Sequence, residues 1–197
     1  IYQQGLLFYR RGEFNRAKFL SEDALAIQKV VNDQTGSLPT LRLLADIALE
    51  QENYQAAQLY AGEALTLCEN LHDRGELVGI YYLLTVIARL QENIPLAQMY
   101  AQKTLELSQW MGNRRNHAVT LYELSRINAR NKELSSAIEV GLKSLELLRE
   151  LQDTFNMVYI LRHLGDLYKQ ANQFEKALAI WKEALSIGKA QNHPLTV

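Results

Sequence analysis

The feature that most constrains this chain is a skeleton of residues that returns every 40 positions. The stretch 164–185 reads as two amphipathic helices joined by a short turn at 171–173. The repeated alanines are Ala17, Ala57, Ala97, Ala137 and Ala177, and the repeated leucines are Leu25, Leu65, Leu105, Leu145 and Leu185. A fixed period of this size is typical of a stacked array of helix pairs.

The repeat predicts an all-α fold of five antiparallel helix pairs that share one continuous core. The units are predicted at about 1–33, 34–73, 74–113, 114–153 and 154–193. The first helices are predicted at 1–11, 38–51, 76–91, 115–131 and 155–171, and the second helices at 14–31, 54–71, 94–111, 134–151 and 174–190. Because the chain starts inside a helix pattern and stops where a sixth unit would begin, we expect an excerpt of a longer protein.

Turn residues support these boundaries. Asn53 and Asn93 are suited to cap the second helices that follow them. We expect Pro39 in the first turn of a first helix, where a missing N–H costs little, with Ser37 as its cap. Between units, an Asp or Asn recurs that could cap the next helix or close the loop. These residues are Asp33, Asp73, Asn113 and Asp153.

Small side chains on the second helices predict close helix packing. Ala57, Ala61 and Ala64 share one face by their spacing, and Leu65 lies beside them. The equivalent sets are Ala17, Ser21, Ala24 and Leu25, then Ala97, Ala101, Thr104 and Leu105, then Ala137, Gly141, Ser144 and Leu145. The last unit departs from this pattern because it carries Trp181, for which we expect a wider groove.

Composition narrows the class of partner. The net charge is −1, from 21 basic and 22 acidic residues, which argues against general binding to nucleic acid or to anionic membranes. The chain has a single cysteine, Cys68, so no internal disulfide can form, and this fits a cytoplasmic location. We interpret Cys68 as a small packing residue rather than a reactive thiol.

The last unit carries the motifs of a known family. It has Leu164-Gly165, Tyr168, an Asn-Gln-Phe-Glu-Lys-Ala turn at 172–177, and Trp181 followed by Ala184. This pattern resembles the tetratricopeptide repeat, and the 40-residue unit resembles that family's long-repeat subgroup. The resemblance implies a right-handed superhelical solenoid with a concave groove lined by the first helices. The family glycine is replaced by Ala45, Thr85 and Ser125 in the middle units.

Enzyme motifs are missing from the sequence. Gly188-Lys189 lacks the upstream glycine of a phosphate-binding loop because Glu183 stands at that place. There is no GxSxG, HExxH or CxxC motif, and the four histidines have spacings unlike a compact metal site. We therefore expect no enzyme activity, no cofactor and no metal.

The groove implied by the resemblance contains two groups of candidate partner-binding residues. The apolar patch is Tyr82, Leu83 and Val86, where a solvated helix face would be polar. The basic–aromatic surface is Tyr122, Arg126, Arg130, Tyr159, Arg162 and His163. Arginine and tyrosine are favoured at binding hot spots. The alternative is that tighter winding buries the apolar residues while Glu123 and Asp166 neutralise the arginines.

These patterns favour a non-catalytic module that binds a protein or peptide in its groove, as the sensor or scaffold part of a larger regulator. The alternative is a structural array that mediates self-assembly or holds an attached catalytic domain, and homo-oligomerisation stays open. RNA binding by helical repeats is a third hypothesis, against which the neutral charge and the lack of a repeated base-reading pair argue.

Overall fold

The computed structural model describes residues 1–190, which form ten α-helices and no strand. The helices are α1 Tyr2–Arg10, α2 Phe14–Val30, α3 Gln34–Glu50, α4 Tyr54–Leu71, α5 Arg74–Leu90, α6 Ile94–Trp110, α7 Arg114–Arg130, α8 Leu134–Glu150, α9 Thr154–Gln170 and α10 Phe174–Ala190. The all-α fold of paired helices is confirmed. The end of the last predicted unit, at 193, lies outside the described residues.

Short links with one recurring geometry join the helices. In every link the residue before the next helix donates its amide to the carbonyl five residues earlier, at 2.8–3.2 Å. The residue before that donor has a left-handed conformation, as in the Schellman motif that ends many helices. Glycine occupies this position at Gly12 and Gly112, and the other residues there are Asn32, Glu52, His72, Glu92, Lys132, Gln152 and Asn172. Most helices have 17 residues, so two helices and two three-residue links make the 40-residue period.

The last residue of each link also starts the next helix. The Asp33 carboxylate accepts the amide of Gly36 at 2.9 Å, and the Asn53 side chain accepts the amide of Ala56 at 3.1 Å. Asp73, Asn113 and Asp153 cap their helices in the same way. Because one residue closes one helix and caps the next, the helices follow one another with almost no intervening chain.

The start predicted for α3 is wrong. Asp33, not Ser37, is the N-cap, so the helix begins at Gln34 and Pro39 lies inside it as the sixth residue. Ser37 is buried in the first turn, where its hydroxyl donates to the Asp33 carbonyl at 2.7 Å. Proline at this depth removes one helical donor, the partner of the Thr35 carbonyl, and the helix continues through it.

The described chain divides into two compact units, Ile1–Asn93 and the residues from Ile94 onward. In the first unit, α1 packs on α2, α3 on α4, and α1 also contacts α3. Part of its core is Ala17, Leu43 and Ile47, against which Phe8 and Phe14 pack. The first helices of neighbouring pairs therefore adjoin within this unit.

The second unit repeats this plan with α7 on α8, α9 on α10, and α7 against α9. A buried cluster spans its helices and is made mainly of aliphatic side chains. The buried members are Ala118, Ala137, Leu145, Leu148, Met157, Ile160, Leu161, Leu164, Leu167 and Ala184.

The small-residue face of the second helices is buried as predicted, and the space for Trp181 is found at Gly165. Ala57, Ala61 and Ala64 are fully inaccessible to solvent. A Cβ added to Gly165 would fall directly on the Trp181 indole, so the missing side chain of Gly165 provides the space. The indole Nε1 donates to the Arg162 carbonyl at 3.4 Å.

Candidate functional site

The contact between α7 and α9 brings three residues of the basic–aromatic surface together. The Arg126 guanidinium carbon lies 5.4 Å from the centre of the Tyr122 ring, which is cation–π distance. The Tyr122 and His163 ring centres are 5.6 Å apart in an edge-to-face arrangement at 70°. Arg126, Tyr122 and His163 therefore form one continuous stack across two helices.

Ser125 fixes the position of His163, and sequence reasoning missed this role. The Ser125 hydroxyl donates to the Ala137 carbonyl at 2.6 Å and lies 3.0 Å from His163 Nε2. A hydroxyl has one hydrogen, which Ser125 uses on the carbonyl, so Nε2 of His163 must carry the proton of their contact. The ring is thereby held in one tautomer and one orientation.

Glu123 lies beneath the same stack. Its carboxylate is 2% exposed and accepts a hydrogen bond from Arg126 Nη1 at 3.1 Å. The guanidinium is therefore held between an aromatic face and a buried carboxylate, which restricts its motion and compensates part of its charge. In agreement with the alternative raised above, Glu123 pairs with Arg126.

The rest of the basic–aromatic surface lies farther out. Arg130 and Arg162 are exposed, and Tyr159 is half-buried. The Tyr159 ring meets the exposed ring of Phe155 edge to face, with centres 5.4 Å apart. Phe155 lies one helical turn before Tyr159, so the spacing of four residues was the signal in the sequence that could have revealed this aromatic pair.

The apolar patch lies in the first unit, and one of its three members does not offer a surface. Leu83 is buried at 7% exposure, whereas Tyr82 and Val86 are half-buried. The expected exposure of Leu83 is not observed, because its side chain points to the packed side of α5, as the buried neighbours Ile80, Leu84 and Ile87 do. Tyr82 and Val86 remain as the accessible part of the patch.

An acidic group on α3 was not among the candidates but has the most perturbed carboxyl of the first unit. Burial raises the pKa of Asp46 to about 6, with Glu50 adding to the rise and Arg42 opposing it. Burial also raises the pKa of Tyr9 to about 12, and the carboxylates of Asp46 and Glu50 contribute. Arg42 itself pairs with Glu76 of α5. The first-helix side of this unit is thus polar and internally paired around α3.

Within residues 1–190, no group of three or more His, Cys, Asp or Glu side chains is arranged to hold a metal ion. In the same range, no helix has the length and apolar character needed to cross a membrane.

Solved structures show what the fold is. BtubC (BKLC) from P. vanneervenii superposes with a TM-score of 0.79 and 21% identity, over 96% of this chain and 80% of that chain. A second structure is a signal transduction ATPase with numerous domains from Pyrococcus horikoshii, which has a tetratricopeptide repeat sensor. It superposes with a TM-score of 0.79 and 21% identity, over 95% of this chain and 28% of that chain. A Rap protein complexed with competence and sporulation factor superposes with a TM-score of 0.86 and 14% identity, over 95% of this chain and 53% of that chain.

These identities are below the level that shows more than a shared fold, and the chain spans about a quarter of the ATPase and about half of the Rap protein. Comparisons with models of protein families and with curated protein sequences find no match.

Proposed function

From the tetratricopeptide-repeat fold, we propose that this chain is a non-catalytic module that binds a protein or peptide, as the sensor or scaffold part of a larger regulatory protein. The side of the array formed by the first helices presents the partner-binding residues. The chain supplies recognition, and the regulated activity belongs to other parts of the assembly.

The observation that carries this proposal is the stack of Arg126, Tyr122 and His163 across α7 and α9. Its residues are held by Glu123 and Ser125, which are themselves buried. Side chains that are fixed before binding lose little conformational freedom when a ligand arrives, so affinity is gained from preorganisation. A purely solvated helix face has no need of such buried support.

The chemistry of this surface favours a partner with a carboxylate next to an apolar or aromatic group. Arg162 and Arg130 are the exposed cations, and charge-assisted hydrogen bonds from guanidinium to carboxylate are stronger than neutral ones. The exposed ring of Phe155 and the half-buried ring of Tyr159 offer an apolar edge on the same helix as Arg162. The neighbouring fold examples include a protein with a tetratricopeptide repeat sensor and a Rap protein in complex with a factor, which is consistent with a sensor role.

The test is a peptide-display selection on the wild-type chain, followed by affinity measurements of the enriched peptide on variants. The double variant Arg126→Gln, Arg162→Glu should bind the peptide at least about tenfold more weakly, which corresponds to a loss of about 1.4 kcal/mol of binding free energy. Glutamine at 126 keeps a donor for Glu123, so the buried carboxylate does not lose its partner. Binding should also weaken as salt rises, because exposed charges are screened over about 8 Å at physiological ionic strength.

The control is Lys182→Glu, which makes the same charge reversal as Arg162→Glu at an exposed position of α10. It should leave the peptide affinity unchanged. Equal affinity of wild type and the Arg126→Gln, Arg162→Glu variant, with intact thermal melts, would move the site away from the basic–aromatic surface.

A second candidate function, self-assembly, is favoured by one observation. Phe19 on α2 and Leu59 on α4 occupy the same repeat position in the first unit, and both are more than 60% exposed. Matched apolar side chains on the surface are suited to contact another copy. Sedimentation velocity of the wild type and of Phe19→Ser with Leu59→Ser tests this. A larger species that disappears in the variant supports self-assembly, and a monomer in both rejects it.

A further inference from the structure

A cavity of about 370 Å³ opens in the first unit where α2 ends, α3 begins and α4 ends. Its apolar wall includes Leu41 and Leu67, and Ser37 and Gln28 also line it. The volume falls in the range of sites that hold small ligands or single side chains of a partner. None of its lining residues belongs to the basic–aromatic surface or to the apolar patch.

The repeat itself shows why this corner is hollow. Ser37 is the fourth residue of α3, and the fourth residues of α5, α7 and α9 are the larger Leu77, His117 and Met157. In the second unit, Met157 is buried in the core cluster together with Leu148. Gln28 holds the repeat position of Leu148. The corner of α2, α3 and α4 therefore has a smaller side chain at Ser37 and a polar one at Gln28, where the corner of α8, α9 and α10 has two apolar side chains.

The polar groups at the corner limit the charge of an occupant. Lys29 and Glu63 pair at 2.9 Å beside the cavity, as Arg149 and Glu183 do at 2.7 Å in the second unit. Lys29 is neutralised by Glu63, and the Asp33 carboxylate that also lines the cavity is the cap of α3, so the described rim offers no unpaired cation to an anionic ligand.

Gln28 has one polar atom that remains unused within the described chain. Its Nε2 donates to the Gly36 carbonyl at 2.9 Å, while its buried Oε1 accepts no hydrogen bond from residues 1–190. A buried acceptor without a donor is costly, and a ligand that brings an N–H group would relieve this cost. The occupant that fits is neutral and apolar, with an amide N–H beside it.

We propose that this corner binds a leucine- or methionine-type side chain of a partner, with an amide of the partner's backbone donating to Gln28 Oε1. The inserted side chain takes the place that Met157 occupies in the filled corner. The site adds a second point of recognition to the proposed binding module and lies in the other compact unit.

The probe is N-acetyl-L-leucinamide, titrated into the ¹⁵N-labelled full chain and followed by amide chemical shifts. We expect saturable shifts at residues around Ser37 and Leu67, and no such shifts with N-acetylglycinamide, which has the amide groups without the side chain. Absence of saturable shifts with the leucine probe, or equal shifts with both probes, would overturn the proposal.

A variant that copies the filled corner separates this site from every other surface. Gln28→Leu with Ser37→Met should abolish the leucinamide shifts and raise Tm, because the new side chains bury apolar surface in existing space. Ser37→Ala, which removes the hydroxyl without filling the cavity, should keep the binding. A lower Tm or an unfolded double variant would show that the corner has no room for a side chain, and would contradict the inference.

The test is independent of the proposed peptide site. Arg126→Gln with Arg162→Glu should bind the leucinamide as the wild type does, whatever its effect on the selected peptide. If only the peptide binding is lost in that variant, both assignments stand. If the leucinamide shifts are lost there as well, the cavity is not a separate site.

Discussion

Gly165 and Trp181 show how side-chain size is matched between the two helices of a pair. A Cβ at Gly165 would meet the Trp181 indole, and a Cβ at Gly141 would lie 3.0 Å from the Ser125 hydroxyl. Gly165 of α9 thus leaves space for Trp181, and Gly141 of α8 leaves space for Ser125. The close approach of the helices depends on the sum of the two sizes rather than on either residue.

Gly165→Ala should destabilise the chain by about 1–3 kcal/mol, because the added methyl group overpacks against the indole. In a Trp181→Ala background the same substitution should cost little or even stabilise, since alanine favours helix over glycine by about 1 kcal/mol. Urea denaturation of the four proteins of this cycle measures the coupling. Equal costs of Gly165→Ala in the two backgrounds would show that residues 165 and 181 are not in contact.

Asp46 should make stability depend on pH. Its folded pKa of about 6 lies above the ordinary aspartate pKa of 3.8, so the folded state binds the proton more tightly than the unfolded state. Stability from this group is therefore full below about pH 4 and is lost as pH rises towards 6. Asp46→Asn should be more stable than wild type at pH 7 by about 1–3 kcal/mol, and the difference should vanish near pH 4.

Thermal melts across pH 4–7 check the Asp46 prediction. The control is Asp23→Asn, the same substitution at an exposed position of α2. A constant difference between wild type and Asp46→Asn over the whole pH range would mean that Asp46 does not titrate in that window.

At the scale of the helices, the links determine the length of the repeat. Each link has one residue with a left-handed conformation, and seven of those within residues 1–190 are not glycine, with φ between 53° and 64°. A residue with a Cβ is strained there by roughly 1–2 kcal/mol. The strain is offset because the same short link ends one helix and caps the next.

Lys132→Gly should therefore stabilise the chain by about 0.5–1 kcal/mol, after allowing for the greater freedom of glycine in the unfolded state. The opposite sign is expected for Lys182→Gly, in the middle of α10, which should cost about 1 kcal/mol. Urea midpoints of both variants provide the measurement. Destabilisation by Lys132→Gly would show that the left-handed position at 132 is not strained.

At the scale of the whole molecule, residues 1–190 contain two compact units built on one plan, with first helices side by side in each. In each unit this arrangement leaves a helical surface, on which we propose that a partner binds. In the second unit this surface carries the stacked Tyr122, Arg126 and His163. In the first unit it carries the polar side chains around Asp46, which include Arg42 and Glu50.

A module of this kind should bind without turning over nucleotide. We expect no steady ATP hydrolysis by the purified 197-residue chain, because its sequence lacks the glycine-rich loop that cradles phosphates. A coupled phosphate-release assay with repurified protein is the check. Turnover that persists through repurification and scales with the concentration of the chain would contradict the non-catalytic assignment.

The sequence by itself determined the helix pairs, their period and the buried face of the second helices. These properties are local or periodic: Asp33 and Asn53 cap the helices that follow them, and Ala57, Ala61 and Ala64 recur at helical spacing. The one large error in a boundary is the start of α3. Ser37 and Pro39 have the residue types of a helix start, but the helix begins four residues earlier, after the cap Asp33.

The tertiary structure alone decided what surrounds each candidate residue. The hydrogen bond between Ser125 and His163 joins positions 38 residues apart, and Gly165 makes room for a side chain on the next helix. The hollow corner at Ser37 likewise depends on three helices meeting. Helical periodicity assigns a residue to a face, but distances across helices depend on the sizes of the side chains that pack between them, and no local pattern contains those distances.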